Sequence, residues 1–252
     1  LRGCWKAATL ALSLSACLAS YPLRFALARR TRGAATDAGR ALWLHRCCRM
    51  VLARLGFEMR VVGTPPTRGL VVSNHLSYLD ILFYGAAFPC VFVAKAEVRR
   101  WPMLGALAAL GGTVFIDRSS AASAAKAAAR VQDLLAAGVP VLVFPEGTST
   151  DGAAVLRFYP SLFEPAVRAG APVTAAAIGY SAGEQATERD LCYYGDISFA
   201  PHLLQTLRLR GIRATLRFAP AGVVYENRKL AAALTREAVV ELRDAGVGLE
   251  AD

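Results

Sequence analysis

Two side chains in an apolar neighbourhood carry the most specific chemistry in this sequence. His75 and Asp80 stand five residues apart, just after the run Leu70-Val71-Val72-Ser73. On one continuous helix that spacing turns through about 500°, aiming the two side chains roughly 140° apart. They meet only if His75 sits in a strand-to-helix turn and Asp80 on the first turns of the helix that follows. There the carboxylate takes the hydrogen of imidazole Nδ1. That fixes the tautomer and leaves Nε2 to accept a proton from a hydroxyl. In isolation the spacing is a weak signal, and an ordinary loop histidine is its commoner cause.

Two further polar turns follow apolar runs. Val143-Phe144-Pro145-Glu146-Gly147-Thr148-Ser149 ends one of them. Gly147 lets the backbone come close to a ligand. The amides of this turn and the Thr148 hydroxyl suit an anionic oxygen, and Glu146 can accept from a polyol or an arginine. Gly112-Thr113-Val114-Phe115-Ile116-Asp117-Arg118 ends another. Arg118, past a strand and before a helix, is placed to hold a phosphate bidentately. The plainer alternatives are a Pro-Gly turn and an exposed Asp117–Arg118 pair worth under ~1 kcal/mol.

A competing motif lies at Gly179-Tyr180-Ser181-Ala182-Gly183, with Asp196 and His202 following in the order of a serine hydrolase. Against it, the segment after Ser181 is too polar for the buried helix such a nucleophile needs. Asp196 and His202 are also too close together for separate elements to carry them. His202 reads better as structural or as part of a pocket rim. The three histidines, 45, 75 and 202, are too dispersed to form a recognisable metal site.

The elements that position these residues alternate. Apolar runs at 69–73, 91–94, 113–116, 140–144, 173–180 and 214–220 read as strands covered on both faces. Helical patterns at 79–87, 103–110, 119–137, 161–169 and 228–245 separate them. The expectation is an α/β fold: a largely parallel central sheet flanked by helices, with functional residues where strands end. This domain is expected to occupy 60–252, and residues 1–59 to form a basic helical segment that associates with membrane.

Composition supports that division. The chain of 252 residues is 55% hydrophobic and 19% charged, and its mean hydropathy is +0.37. Its formal charge of +10 is uneven. In residues 1–60, Lys6 and ten arginines stand against Asp37 and Glu58. Basic residues among apolar ones suit an anionic bilayer surface, at about 1 kcal/mol per cation near the headgroups. Nucleic acid is not expected as a partner, because no recognition motif accompanies the charge. The uncharged stretch from Ala7 to Leu23 is at the lower edge of a spanning length. It reads as an uncleaved anchor or interfacial helix, and 41–55 equally as an interfacial amphipathic helix or as a basic helix packed on the domain. The six cysteines show no C-x-x-C spacing and read as small buried hydrophobes.

Taken together, N-H-x-S-x-x-D, F-I-D-R and F-P-E-G-T, in this order, resemble the glycerolipid acyltransferase family typified by 1-acylglycerol-3-phosphate O-acyltransferase. The run Ala94-Lys95-Ala96-Glu97 … Trp101-Pro102-Met103-Leu104-Gly105 also matches. The resemblance covers about residues 60 to 220. It implies acyl-CoA or acyl-carrier-protein as the donor, with no further cofactor, and a lysophospholipid as the acceptor. The most direct product is phosphatidic acid from 1-acyl-sn-glycerol-3-phosphate. It implies His75 and Asp80 as the catalytic pair. Arg118, Glu146 and Gly147 would meet the acceptor's phosphate or glycerol, with Thr148 beside them and Lys95 nearby. It also implies membrane lipids as partners and a place on the cytoplasmic face of the cell membrane. Two departures narrow this. Ser149 stands where the family commonly has an arginine, and Ala171-Pro172-Val173-Thr174-Ala175 keeps only the first of two prolines. F-P-E-G-T-S-x-D-G, with Tyr194-Gly195-Asp196 and Pro201-His202-Leu203, is similar to the lyso-ornithine lipid acyltransferase branch. O-acylation of that lipid is the first alternative. A serine hydrolase using Ser181 and a catalytically inactive basic membrane-binding protein are the others.

Overall fold

A computed structural model describes residues 2–32, 36–117 and 119–247. Arg118 lies outside the described residues. The chain opens with two helices, α1 (Arg2–Arg32) and α2 (Asp37–Leu55). Thr36 caps α2 by accepting from Gly39 N–H at 3.1 Å. Gly56, in the left-handed region at φ 67°, ends it and turns the chain into the sheet. Then come β1 (Glu58–Val62), β2 (Leu70–Ser73), α3 (Leu79–Ala87), β3 (Val91–Lys95), α4 (Leu104–Leu110), β4 (Val114–Ile116) and α5 (Ala121–Ala136). The second half supplies β5 (Val141–Val143), α6 (Glu164–Ala169), β6 (Val173–Ser181), α7 (Glu188–Leu191), α8 (Phe199–Arg208), β7 (Arg213–Phe218) and α9 (Arg228–Val247).

The seven strands order as β1-β7-β6-β2-β5-β3-β4. Among the described residues, the β6–β7 pairing is the only antiparallel one between named strands. Every residue of β2 and β5 is buried, as strands covered by helices on both faces must be. Along β2 the side chains alternate between two cores. Val71 joins the one beneath α1, α2, α3 and α8, while Leu70 and Val72 join the one beneath α5, α6 and α9. The register sets Leu70 beside Val141 and Val72 beside Val143. The turns that leave β2 and β5 therefore emerge side by side at one edge of the sheet.

All six strands read from the sequence are present. The seventh, β1, escaped because four of its five residues are exposed and it makes no apolar run. It is an edge strand beside β7. Helices α7 and α8 were not anticipated as elements either. The N-terminal helices are built into the fold: Leu14, Cys17, Trp43, Cys47 and Leu55 belong to the first core. Lys6, nearly buried, donates to the carbonyls of Leu209 and Arg210 at 2.9 and 3.2 Å, tying α1 to the end of α8. Among the described residues no helix is long and apolar enough to cross a membrane.

Candidate active site

His75 lies in the turn between β2 and α3, and Asp80 is the second residue of α3. Their side chains meet, with Nδ1 to Oδ2 at 2.6 Å. An ionised carboxylate only accepts, so the ring nitrogen facing it carries the hydrogen, and in the neutral ring the lone pair is then on Nε2. Asp80 is fully buried, a costly place for a charge unless every lone pair is used. The same Oδ2 accepts from the backbone N–H of Leu76 at 2.8 Å and of Ser77 at 3.2 Å. Oδ1 accepts from the hydroxyl of Tyr180. Burial and the neighbouring Asp80 push the Tyr180 phenol well above its ordinary pKa, so it stays a donor.

Neighbouring strands hold the turn itself. The Asn74 side-chain amide reproduces a strand pairing with Ile178, donating to its carbonyl at 3.0 Å and accepting from its N–H at 2.9 Å. This extends the β2–β6 ladder by one residue and locks the backbone entering His75. Phe144 stacks on the imidazole with ring centres 4.1 Å apart and planes 14° from parallel. The turn after β5 clasps the turn after β2 in both directions. His75 N–H donates to Glu146 Oε1 at 2.8 Å, and Thr150 N–H donates to the His75 carbonyl at 2.9 Å.

Glu146 was read from sequence as facing substrate. Its carboxylate instead points inward, almost wholly buried. Oε2 accepts from Leu156 N–H at 2.8 Å, so both oxygens are engaged by backbone amides. Burial pushes this carboxyl above its ordinary pKa, and the amides of Leu156 and His75 pull it back. Gly147 takes φ 74°, a conformation that favours glycine. Gly147, Thr148, Ser149 and Lys95 all line a chamber of about 220 Å³ that His75 also lines. Lys95 and Thr148 are exposed at its rim. The Ser149 hydroxyl donates to the carbonyl of Tyr193.

An apolar cavity of about 170 Å³ adjoins this chamber and shares Tyr78, Ile81, Val98 and Trp101 with it. It runs beneath the N-terminal helices, between Leu14 and Cys17 of α1, Cys47 and Val51 of α2, and Leu107 of α4.

The serine-hydrolase constellation does not assemble. His202, on α8, faces Tyr78, its Nδ1 3.0 Å from the phenol oxygen. Ser181 Oγ accepts from Gly183 N–H at 3.3 Å, and Asp196 is exposed. The motif's contribution is a different residue, Tyr180, which reaches Asp80. Sequence reasoning missed that role, and also missed Asn74, Phe144 and the pair behind Tyr180. Glu188 Oε1 accepts from Tyr180 N–H at 2.7 Å and from Arg243 at 3.0 Å, and Arg243 donates to the Ile178 carbonyl at 2.7 Å. Asn74 alone had a signal, as a polar residue breaking a buried run.

Fold and site together define an α/β protein with a His–Asp pair at the end of a mostly parallel sheet, beside an apolar cavity. Residues 58–179 match the family model described as Acyltransferase. A lyso-ornithine lipid O-acyltransferase of Pseudomonas aeruginosa is 39% identical over 66% of this chain and 62% of its own, so the chain spans less than two thirds of that relative's length. A second lyso-ornithine lipid O-acyltransferase, of Brucella abortus, is 35% identical over 74% of this chain and 76% of its own. The solved 1-acyl-sn-glycerophosphate acyltransferase PlsC of Thermotoga maritima shares the fold, with TM-score 0.67 at 21% identity, covering 100% of this chain and 99% of that one. The chain belongs to the acyltransferase family.

Proposed function

We propose that the protein transfers a fatty acyl group from a thioester donor, acyl-CoA or acyl-carrier-protein, to the hydroxyl of a lyso-lipid. The observation that carries this is the His75–Asp80 contact opening on a chamber that continues into an apolar cavity. His75 Nε2 takes the proton of the acceptor hydroxyl as its oxygen attacks the thioester carbonyl. Asp80 stabilises the imidazolium that forms. When the tetrahedral centre collapses, the C–S bond breaks and the imidazolium returns the proton to the departing sulfur. The acyl chain lies in the apolar cavity, away from water. No protein nucleophile is needed.

Within the lyso-lipid class, an acceptor without a phosphate monoester is favoured over 1-acyl-sn-glycerol-3-phosphate. Ser149 brings no positive charge where the family commonly has an arginine, and its hydroxyl is engaged by the Tyr193 carbonyl. Two relatives at 35–39% identity carry the name lyso-ornithine lipid O-acyltransferase.

The protein works at a bilayer surface, which α1 meets edge-on. Trp5, Leu12 and Leu23 are each at least 70% exposed, and at 100° per residue their positions fall within about 20° of one line along the helix. An exposed apolar line beside Arg2 and Arg24 suits the boundary of an anionic membrane. The catalytic reading is tested by incubating the purified protein with hexadecanoyl-CoA and a panel of lyso-lipids, with products identified by mass spectrometry. A diacyl product from one acceptor supports it. Hydrolysis of donor or lipid without transfer sinks it.

A further inference from the structure

We propose that the groove between α5 and α6 seats the phosphopantetheine arm of the acyl donor. This rests on the acyl-transfer reading and deepens it, by giving the non-acyl half of the donor a place.

Three spaces lie in series. The apolar cavity meets the His75 chamber along Tyr78, Ile81, Val98 and Trp101. On the other side, the chamber meets a groove of about 650 Å³ along Val93, Ile116, Val143 and Leu162. A fatty thioester has the same order of chemistry along its length. An apolar chain leads to the reacting carbonyl. Beyond the sulfur comes an arm of amides and methyl groups that ends in phosphate. With the chain in the apolar cavity and the carbonyl at His75, the arm continues into the groove.

The lining matches such an arm better than a second fatty chain. Ala124 and Ala128 give a floor of methyl groups, leaving width for a linear ligand. Gln132 and Ser161 offer donors and acceptors for amides. Arg168 and Arg228 stand at the groove and both reach one carboxylate, Glu164, at 2.8 and 3.3 Å. Two guanidinium groups sharing one carboxylate leave one positive charge uncompensated within the trio, suited to a phosphate. A groove serving only hydrocarbon would gain nothing from these groups.

The arm is common to coenzyme A and carrier protein, and the experiment separates the two. Wild type, Ala128→Phe and an Arg168→Gln/Arg228→Gln double variant are compared with three hexadecanoyl donors: the CoA thioester, the carrier-protein thioester and the N-acetylcysteamine thioester, which lacks most of the arm and the phosphate. Thermal melts report whether each variant is folded. The expected result is a KM raised at least tenfold for a full-arm donor in both variants, and under twofold for the truncated one. The full-arm donor that wild type uses at the lower KM, CoA or carrier protein, is the physiological source. An equal change for all three donors overturns the proposal. So does a rise confined to the KM of the lyso-lipid, which would put the acceptor's chain in the groove. Calorimetric titration of free coenzyme A and of holo-carrier protein separates this test from the function reading. If wild type transfers no acyl group to any acceptor, that reading fails. Arm binding abolished by Ala128→Phe would still support the groove, and arm binding left unchanged in the folded variant would refute it.

Discussion

The hydroxyl of Tyr180 donates to Oδ1 of Asp80, while Oδ2 of the same carboxylate holds the imidazole of His75. A strand residue one hundred positions away thus completes the hydrogen bonding of a fully buried charge. The arrangement neutralises the cost of burying Asp80 and fixes its plane, and through that plane the direction of the ring.

Tyr180→Phe removes one donor and keeps the ring packing. The stranded carboxylate oxygen costs about 1–3 kcal/mol of stability, read as a lower urea midpoint. Without the phenol, the carboxylate is no longer held in one plane, and the direction in which it holds the His75 ring loosens. The value of kcat should therefore fall about tenfold. An unchanged kcat in the folded variant contradicts this role.

Glu146 joins the two turns through the amides of His75 and Leu156. Glu146→Ala strands both donors, at roughly 1–3 kcal/mol each, and frees the backbone of His75. Stability and kcat should fall together. Glu146→Gln keeps one acceptor oxygen and should recover part of both. A large rise in acceptor KM at unchanged stability would instead restore a direct substrate role.

Burial lowers the pKa of His202 below its ordinary 6.5, opposed by the Asp190 and Cys192 backbone. Between the folded and unfolded values the unfolded chain binds more protons, so stability rises with pH in that window. Acidification below pH 6.5 should therefore lower Tm, and His202→Gln should reduce that slope. Equal slopes in melts taken from pH 7 to pH 5 would show that His202 does not carry it.

The exposed line on α1 predicts that Trp5→Ser with Leu12→Ser and Leu23→Ser weakens binding to anionic vesicles. These exposed positions bear little on the core, so the melting temperature should hold while co-sedimentation falls about tenfold or more. Undiminished sedimentation would assign membrane contact to another face.

Local spacing allowed the His75–Asp80 pair, because a strand-to-helix turn can bring positions i and i+5 together, but only the three polar blocks taken together pointed to it. The strands of the sheet centre were equally legible, as unbroken apolar runs. Tyr180 was not, because its neighbour Asp80 is set by β6 lying beside β2, and no local pattern encodes strand order. Its setting in a G-x-S-x-G sequence pointed to Ser181 instead. Glu146 was recognised as significant, but its direction depends on the register of β5 against β2. The exposed β1 offered no alternation to read. Arg118, expected to bind phosphate, lies outside the described residues.

The most direct test compares His75→Ala with Ser181→Ala in one acyl-transfer assay, using hexadecanoyl-CoA and the lyso-lipid acceptor. His75 acting as the base predicts a loss of about 10³-fold in kcat for His75→Ala and near wild-type turnover for Ser181→Ala. Turnover that survives in His75→Ala and disappears in Ser181→Ala would contradict it.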